Sequence, residues 1–229
     1  MFNEILQAVL GEAEQVKEYV IGRWQTVQEI SIVINNGKTE RIVSEETQGL
    51  GIQIFSQEGY SGFASGDSVS VDEAKRLVRK AAKLASLSKA YGGQSNREIF
   101  AAPALITQVS CPLKYPWGKL SLPELEELTK AENNFVQRQN PDLSVQTAFR
   151  QIFEQWQIVR SDGTNVKFSM PRAALVHTLT ARGSHKTATT RSALGGMDIA
   201  ILVEDDKKNE GRERCQQMAD LARNLLEAK

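Results

Sequence analysis

Gln28-Glu29-Ile30-Ser31-Ile32-Val33-Ile34-Asn35-Asn36-Gly37-Lys38 is the stretch from which the fold of this chain can be read. Ile30, Ile32 and Ile34 alternate with Glu29, Ser31 and Val33, the period of two that a half-buried strand requires. Asn35-Asn36-Gly37 then supplies residues that tolerate positive φ, as a tight hairpin turn needs. Residues 38–45 return as a more polar strand. Residues 49–56 form a third, with Leu50, Ile52 and Ile54 on one face, and Gln57-Glu58-Gly59 turns the chain into a fourth over 60–64. Strands joined this tightly are antiparallel neighbours. The stretch 28–64 therefore predicts a four-stranded β-meander.

On the N-terminal side, Ile5, Leu6, Val9, Leu10, Ala13, Val16 and Val20 recur at helical spacing. A helix over 4–20 is expected, with Asn3 as its N-cap and Gly22 at its end. On the C-terminal side, Ser70-Val71-Asp72-Glu73 is a capping-box pattern opening a helix that runs to about residue 88. Its small apolar stripe of Ala74, Leu77, Val78, Ala81, Ala82, Leu84 and Ala85 lets a helix lie close on a sheet. Lys75, Arg76, Arg79, Lys80 and Lys83 occupy the other face, read as a solvated surface because few aromatic residues are interleaved to stack bases. Tyr91-Gly92-Gly93 breaks this helix. A surface connector over 94–120 follows, with Pro103, Pro112 and Pro116 spaced through it and one short strand at 105–109. Tyr115-Pro116-Trp117 reads as a loop packed on the core rather than as an exposed aromatic site.

Ser121-Leu122-Pro123-Glu124 is a second capping box, opening a helix that Asn140-Pro141 stops. Strand patterning resumes in five segments, 144–152, 155–160, 164–170, 173–181 and 186–192. Turns are expected at Ser161-Asp162-Gly163, Met170-Pro171-Arg172 and Arg182-Gly183-Ser184. A last helix over 210–228 turns Cys215, Met218, Ala219, Leu221, Ala222, Leu225 and Leu226 inward. The expected fold class is α+β, two antiparallel β-meanders with packed helices in the order α-ββββ-α-connector-α-βββββ-α. Residues 1–93 form a first unit, 94–120 the connector and 121–229 a second unit.

The 28 basic and 28 acidic residues cancel and are interspersed, which argues against a primary nucleic-acid binder. Cys111 and Cys215 make no disulfide framework and read as free thiols. Met1-Phe2-Asn3-Glu4 lacks the basic start and apolar core of a signal peptide, and no apolar run has a membrane-spanning length. A cytoplasmic protein without membrane partners is expected. The two histidines, His177 in a strand and His185 at a turn, pair with no neighbouring histidine or cysteine. No H-E-x-x-H, C-x-x-C, G-x-S-x-G or P-loop pattern occurs. Ser161-Asp162-Gly163 and Asp205-Asp206 read as a turn and a loop before the last helix. Gly49, Gly51, Gly62 and Gly66 lie in a hairpin series rather than between a strand and a helix N-terminus, so they are turn and close-packing positions, not a phosphate cradle. No catalytic, metal-binding or cofactor-binding residue is identified, and the peptide-binding residues are unknown. The edge strands of a meander can nevertheless accept an extended peptide.

Asn36-Gly37-Lys38-Thr39-Glu40, Gly49-Leu50-Gly51-Ile52-Gln53-Ile54 and Gly59-Tyr60-Ser61-Gly62-Phe63-Ala64-Ser65 resemble, in order and spacing, the N-terminal domain of the TldD/PmbA family. The resemblance continues through 70–88 and recurs at Val159-Arg160-Ser161-Asp162-Gly163 and Gly195-Gly196. It implies a part of a two-domain zinc metallopeptidase that degrades unfolded peptides or processes peptide precursors. It also implies a homodimer or a TldD–PmbA heterodimer. The family's zinc motif, H-E-x-x-x-H, belongs to the C-terminal domain, beyond the helix that residues 211–229 resemble. The expectation is thus a non-catalytic domain, inactive alone, with zinc bound by the C-terminal domain that this sequence does not include. Two other readings are a stand-alone module binding peptide or protein by β-strand addition, and a modulator of DNA gyrase. The latter rests on the family's name and on the basic face of Lys75, Arg76, Arg79, Lys80 and Lys83.

Overall fold

Positive φ at Asn36 (48°) and Gly37 (77°) closes the predicted hairpin between β1 (Tyr19–Asn35) and β2 (Lys38–Phe55). The computed structural model describes residues 2–67 and 70–228; Met1, Ser68, Val69 and Lys229 lie outside the described residues. A second hairpin, with Gly59 at φ 88°, leads into β3 (Ser61–Gly66), which pairs antiparallel with β2 so that Ile52 faces Ala64 and Gln53 faces Phe63. After α2 (Val71–Ala90) and a short 3-10 turn at Glu98–Ala101 come β4 (Ile106–Val109) and α3 (Leu122–Gln139). Then follow β5 (Ser144–Arg160), β6 (Asn165–Arg182), β7 (Thr187–Gly196), α4 (Ala200–Val203) and α5 (Asp205–Glu227), while α1 (Phe2–Val16) precedes them all.

The α+β class and the helix–strand order match the sequence expectation, but the strands are fewer and longer. The two segments read as 38–45 and 49–56 form the one strand β2, because residues 46–49 continue in extended conformation without a turn. Likewise, 144–152 and 155–160 merge into β5, and 164–170 and 173–181 into β6. The turn expected at Met170-Pro171-Arg172 is absent, for β6 runs straight through it. β4 pairs with β6 in parallel up to Phe168, and β7 pairs antiparallel from Ala173, so Pro171 falls in the interval where neither partner needs its missing N–H. All strands join one seven-stranded sheet of order β3-β2-β1-β5-β6-β4, with β7 also on β6.

The first helix ends earlier than its apolar spacing suggests. Lys17 takes a left-handed conformation (φ 55°) after Val16, and the chain is already in β1 at Tyr19. Gly22 is therefore a strand residue, and Asn3 lies within α1. A Cβ on Gly22 would stand 3.2 Å from both Val9 and Val159, so the absent side chain lets α1 pack close. At α2, Ser70 Oγ accepts from Glu73 N at 3.1 Å, but the Glu73 carboxylate turns to Arg76 instead of completing the box. The box at α3 is complete, with Ser121 N donating to Glu124 Oε2 at 2.7 Å. Asp205 and Asp206 are the first turn of α5, where negative charge suits the helix dipole, not a loop before it.

The chain forms two compact units, each discontinuous in sequence: residues 1–27, 46–111 and 154–169, and residues 28–45, 112–153 and 170–229. In the first, α1 and α2 pack over Val20, Trp24, Leu50, Ile52, Ile54 and Ala64. In the second, one cluster gathers Ile32, Ile34, Leu125, Phe149, Leu175 and Ile201, and another sets Cys215, Ala219 and Ala222 of α5 on Val145 and Leu179.

Candidate functional site

The even-numbered positions of β1 in the first unit, Val20, Gly22 and Trp24, face the helices. Strict alternation sends Arg23 and Gln25 to the other face of the sheet. On β2, the buried Leu50, Ile52 and Ile54 leave Gly49, Gly51 and Gln53 for that same face, and β3 contributes Phe63 and Ser65. Together with Trp156 of β5 and Asp67, these strands line an open groove of about 500 Å³. Its floor is short of side chains. Gly49 and Gly51 carry no Cβ, and the Phe63 ring lies over Gly51, 3.3 Å from where a Cβ would be. Its walls are aromatic: Phe63 is 53% exposed, and Trp156 is held by near-parallel stacking on Phe168 (6.2 Å, 8°) and by Nε1–H donation to Glu154 at 3.2 Å.

Arg23 is the basic group of the groove. Its Nη2 donates to Gln53 Oε1 at 3.1 Å, and among the described residues it has no carboxylate within ion-pair distance. Partial burial holds its pKa below the usual guanidinium range, and no nearby acid offsets that effect. A cleft of about 310 Å³ in the second unit, lined by Phe135, Asn140, Arg212 and Cys215, differs in this respect. There Arg212 is already neutralised by the buried Glu132, with a bond of 2.7 Å, and caps the Phe135 ring at 3.9 Å. The groove on β1–β3 is the better candidate site.

The residues that the sequence offers for chemistry take structural roles. Asp162 organises its turn by accepting from Thr164 N (3.0 Å) and Tyr19 Oη (2.9 Å), while Ser161 Oγ accepts from Val20 N (2.8 Å). Tyr115 N and Lys114 N both donate to the buried Asp198, and Trp117 stacks on Phe153, so that loop is packed rather than presented. On α2, Arg76 and Arg79 are paired with Glu73 and Glu12. Cys111 and Cys215 form no disulfide, and burial pushes the Cys215 thiol up to about 12.

Among the described residues, no group of three or more His, Cys, Asp and Glu side chains stands together to hold a metal ion. His177 is buried on β6 and its Nδ1 shares a 2.9 Å hydrogen bond with Thr147 Oγ1. Burial, reinforced by the charge of Arg212, lowers its pKa from 6.5 to about 4. The unfolded chain therefore binds a proton that the folded chain refuses, and stability falls as pH drops from 6.5 toward 4. We expect a loss of about 2 kcal/mol by pH 5 relative to pH 7.5, read by denaturant unfolding. His177→Gln should flatten that part of the profile; an unchanged slope would show that His177 titrates normally.

Sequence reading misses Arg23 and Trp156, because it begins the first strand at Gln28 and sets Trp156 in a short separate strand. The signal is present nonetheless. It is partial: Val20, Gly22 and Trp24 alternate with Arg23, while Thr26 and Gln28 interrupt the apolar series back from Ile30.

A family model for the PmbA/TldA metallopeptidase domain 1 matches residues 23–85, the stretch that holds most of this groove. The sequence resemblance thus holds where it is most specific, and residues 23–85 are similar to the family's first domain. No curated protein matches the chain. Among solved structures, a candidate modulator of DNA gyrase from Thermotoga maritima superposes with a TM-score of 0.70 at 16% identity, over 96% of this chain and 48% of its own. TldE from Thermococcus kodakarensis gives 0.65 at 14%, over 93% and 47%. A candidate modulator of DNA gyrase from Bacteroides thetaiotaomicron gives 0.70 at 12%, over 94% and 49%. At such identities the likeness is one of fold, and the chain spans about half the length of each structure. Among the described residues, no helix is long and apolar enough to cross a membrane.

Proposed function

We propose that this chain is the non-catalytic N-terminal domain of a PmbA/TldD-like metallopeptidase, which helps to form the channel and the dimer through which unfolded peptides are degraded or processed. The observation that carries the peptide part is the groove on β1–β3. The floor is open at Gly49, which admits an extended main chain, and Phe63, packed over Gly51, offers flat apolar contact with Trp156 beside Arg23. Hydrolysis and its zinc would belong to residues outside this chain, in a cytoplasmic homodimer or a heterodimer of TldD and PmbA types. Because Trp156 lines the groove while Trp24 is buried, an unstructured peptide should change the fluorescence of the 229-residue chain, and Trp156→Phe should remove that change. The peptide should remain uncut with zinc added. A silent titration, or cleavage by the isolated chain, would refute the reading.

A second reading, peptide capture by β-strand addition, is favoured by one feature. β4 pairs with β6 on one side, and Ile106 (80% exposed) and Val109 (58%) leave it an apolar edge strand. Lys substitutions at both positions would abolish capture at this edge and leave groove binding unchanged.

A further inference from the structure

The groove holds a charge that its own walls leave unanswered. Arg23 keeps its guanidinium half-buried, spends one described hydrogen bond on the neutral Gln53, and has no acidic partner within ion-pair distance among the described residues. A guanidinium presents five donors in a planar fork that matches a carboxylate. Asp67, the acidic residue at the rim, is exposed and disfavours ligands that carry several negative charges. The site therefore suits a ligand with one carboxylate and an otherwise apolar body. A groove of about 500 Å³ lies in the range of pockets that enclose a short ligand or chain end rather than a folded surface.

We propose that this groove binds the C-terminal end of an extended peptide, with the terminal carboxylate on Arg23 and an apolar or aromatic last side chain between Phe63 and Trp156, over Gly49. This rests on the peptide-handling reading above and adds a polarity to it: the chain end, not an internal segment, is what the first unit recognises. The main chain approaches the sheet where β2 has no Cβ. The carboxylate finds a cation bonded to a neutral amide, with the exposed Asp67 at the rim of the groove.

The test compares one unstructured peptide ending in Phe as the free acid, as the C-terminal amide, and as an amide with an internal Glu, by calorimetry and Trp156 fluorescence on the 229-residue chain. The free acid should bind about tenfold more tightly than either amide, the scale of one charge-assisted pair. Arg23→Gln should erase that preference, Arg23→Lys should keep part of it, and Gly49→Val, which fills the open part of the floor, should weaken acid and amide alike. Equal binding of acid and amide by the unaltered chain would overturn the chain-end proposal and leave peptide binding standing. Preference for the internal Glu over the terminal acid would overturn it too. Binding of none of the peptides would overturn both this proposal and the peptide role it rests on.

Discussion

Gly62→Ala is expected to destabilise the first unit by at least about 3 kcal/mol. Gly62 lies on β3 directly beneath α2. A Cβ there would stand 2.1 Å from the Ala81 carbonyl oxygen, 2.4 Å from Ala85 N and 2.8 Å from Leu84 Cβ. Two of those neighbours are helix backbone, which cannot turn aside as a side chain can. The helix must lift, and the fully buried contacts of Leu77, Val78 and Ala81 open with it. Gly49→Ala is the matched control, because its new Cβ would meet only the Gly66 carbonyl oxygen at 3.7 Å, an ordinary contact. Denaturant unfolding should place Gly49→Ala within about 1 kcal/mol of the unaltered chain. Equal stability of the two variants would mean that α2 does not approach β3 as described.

Asn133→Ala should cost about 3 kcal/mol in the second unit, through hydrogen bonds rather than packing. Asn133 is fully buried on α3. Its Nδ2 donates to Val145 O (3.0 Å), Thr147 Oγ1 (2.9 Å) and Ile34 O (3.3 Å), and its Oδ1 accepts from Gly37 N at 2.7 Å. One amide thereby fastens the β1–β2 turn and β5 to the helix above them. Truncation leaves the Gly37 N–H without its acceptor and removes the donor for three oxygens. Its neighbour Asn134 is only partly buried and should tolerate alanine within about 0.5 kcal/mol. Amide exchange supplies an independent reading: the Gly37 N–H should be protected in the unaltered chain and in Asn134→Ala, and exposed in Asn133→Ala.

Neither effect is visible in the sequence, and for related reasons. Asn133 lies in an unremarkable helical run, Glu132-Asn133-Asn134, where the two asparagines differ only in which way the helix turns them. Gly62 and Gly51 read as close-packing positions, which the structure bears out beneath α2 and beneath the Phe63 ring, but so does Gly49, which instead floors a groove. Local periodicity separates strand from helix and says which face is apolar. It does not say whether the polar face is left open, or what stands above a given glycine.

The merging of predicted strands has the same origin. The tempting break in β2 is the polar run Ser44-Glu45-Glu46-Thr47-Gln48-Gly49, which has little intrinsic strand preference. In the structure, β2 runs through it without a turn, and its side chains are mostly exposed. Membership of the sheet, with β1 as the neighbour of β2 here and β3 joining only from Leu50, keeps the strand extended. That is a tertiary contribution that no window of the sequence contains. Pro171 is a parallel case: a residue that ends strands in general is harmless in β6, between the pairings of β4 and β7.

By itself, the sequence determined the α+β class, the order of helices and strands, the hairpin at Asn36-Gly37, the caps at Ser70 and Ser121, and the likeness to the PmbA/TldD first domain over residues 23–85. These follow from interactions between residues near one another in the chain: alternation, capping and turn chemistry. Only the tertiary structure decided that the strands form one sheet, that Asn133 locks a distant turn, and that Arg23, Gly51, Phe63 and Trp156 meet in one groove. Those four residues come from β1, β2, β3 and β5, and what brings them together is strand register, which is set by the burial of the opposite face.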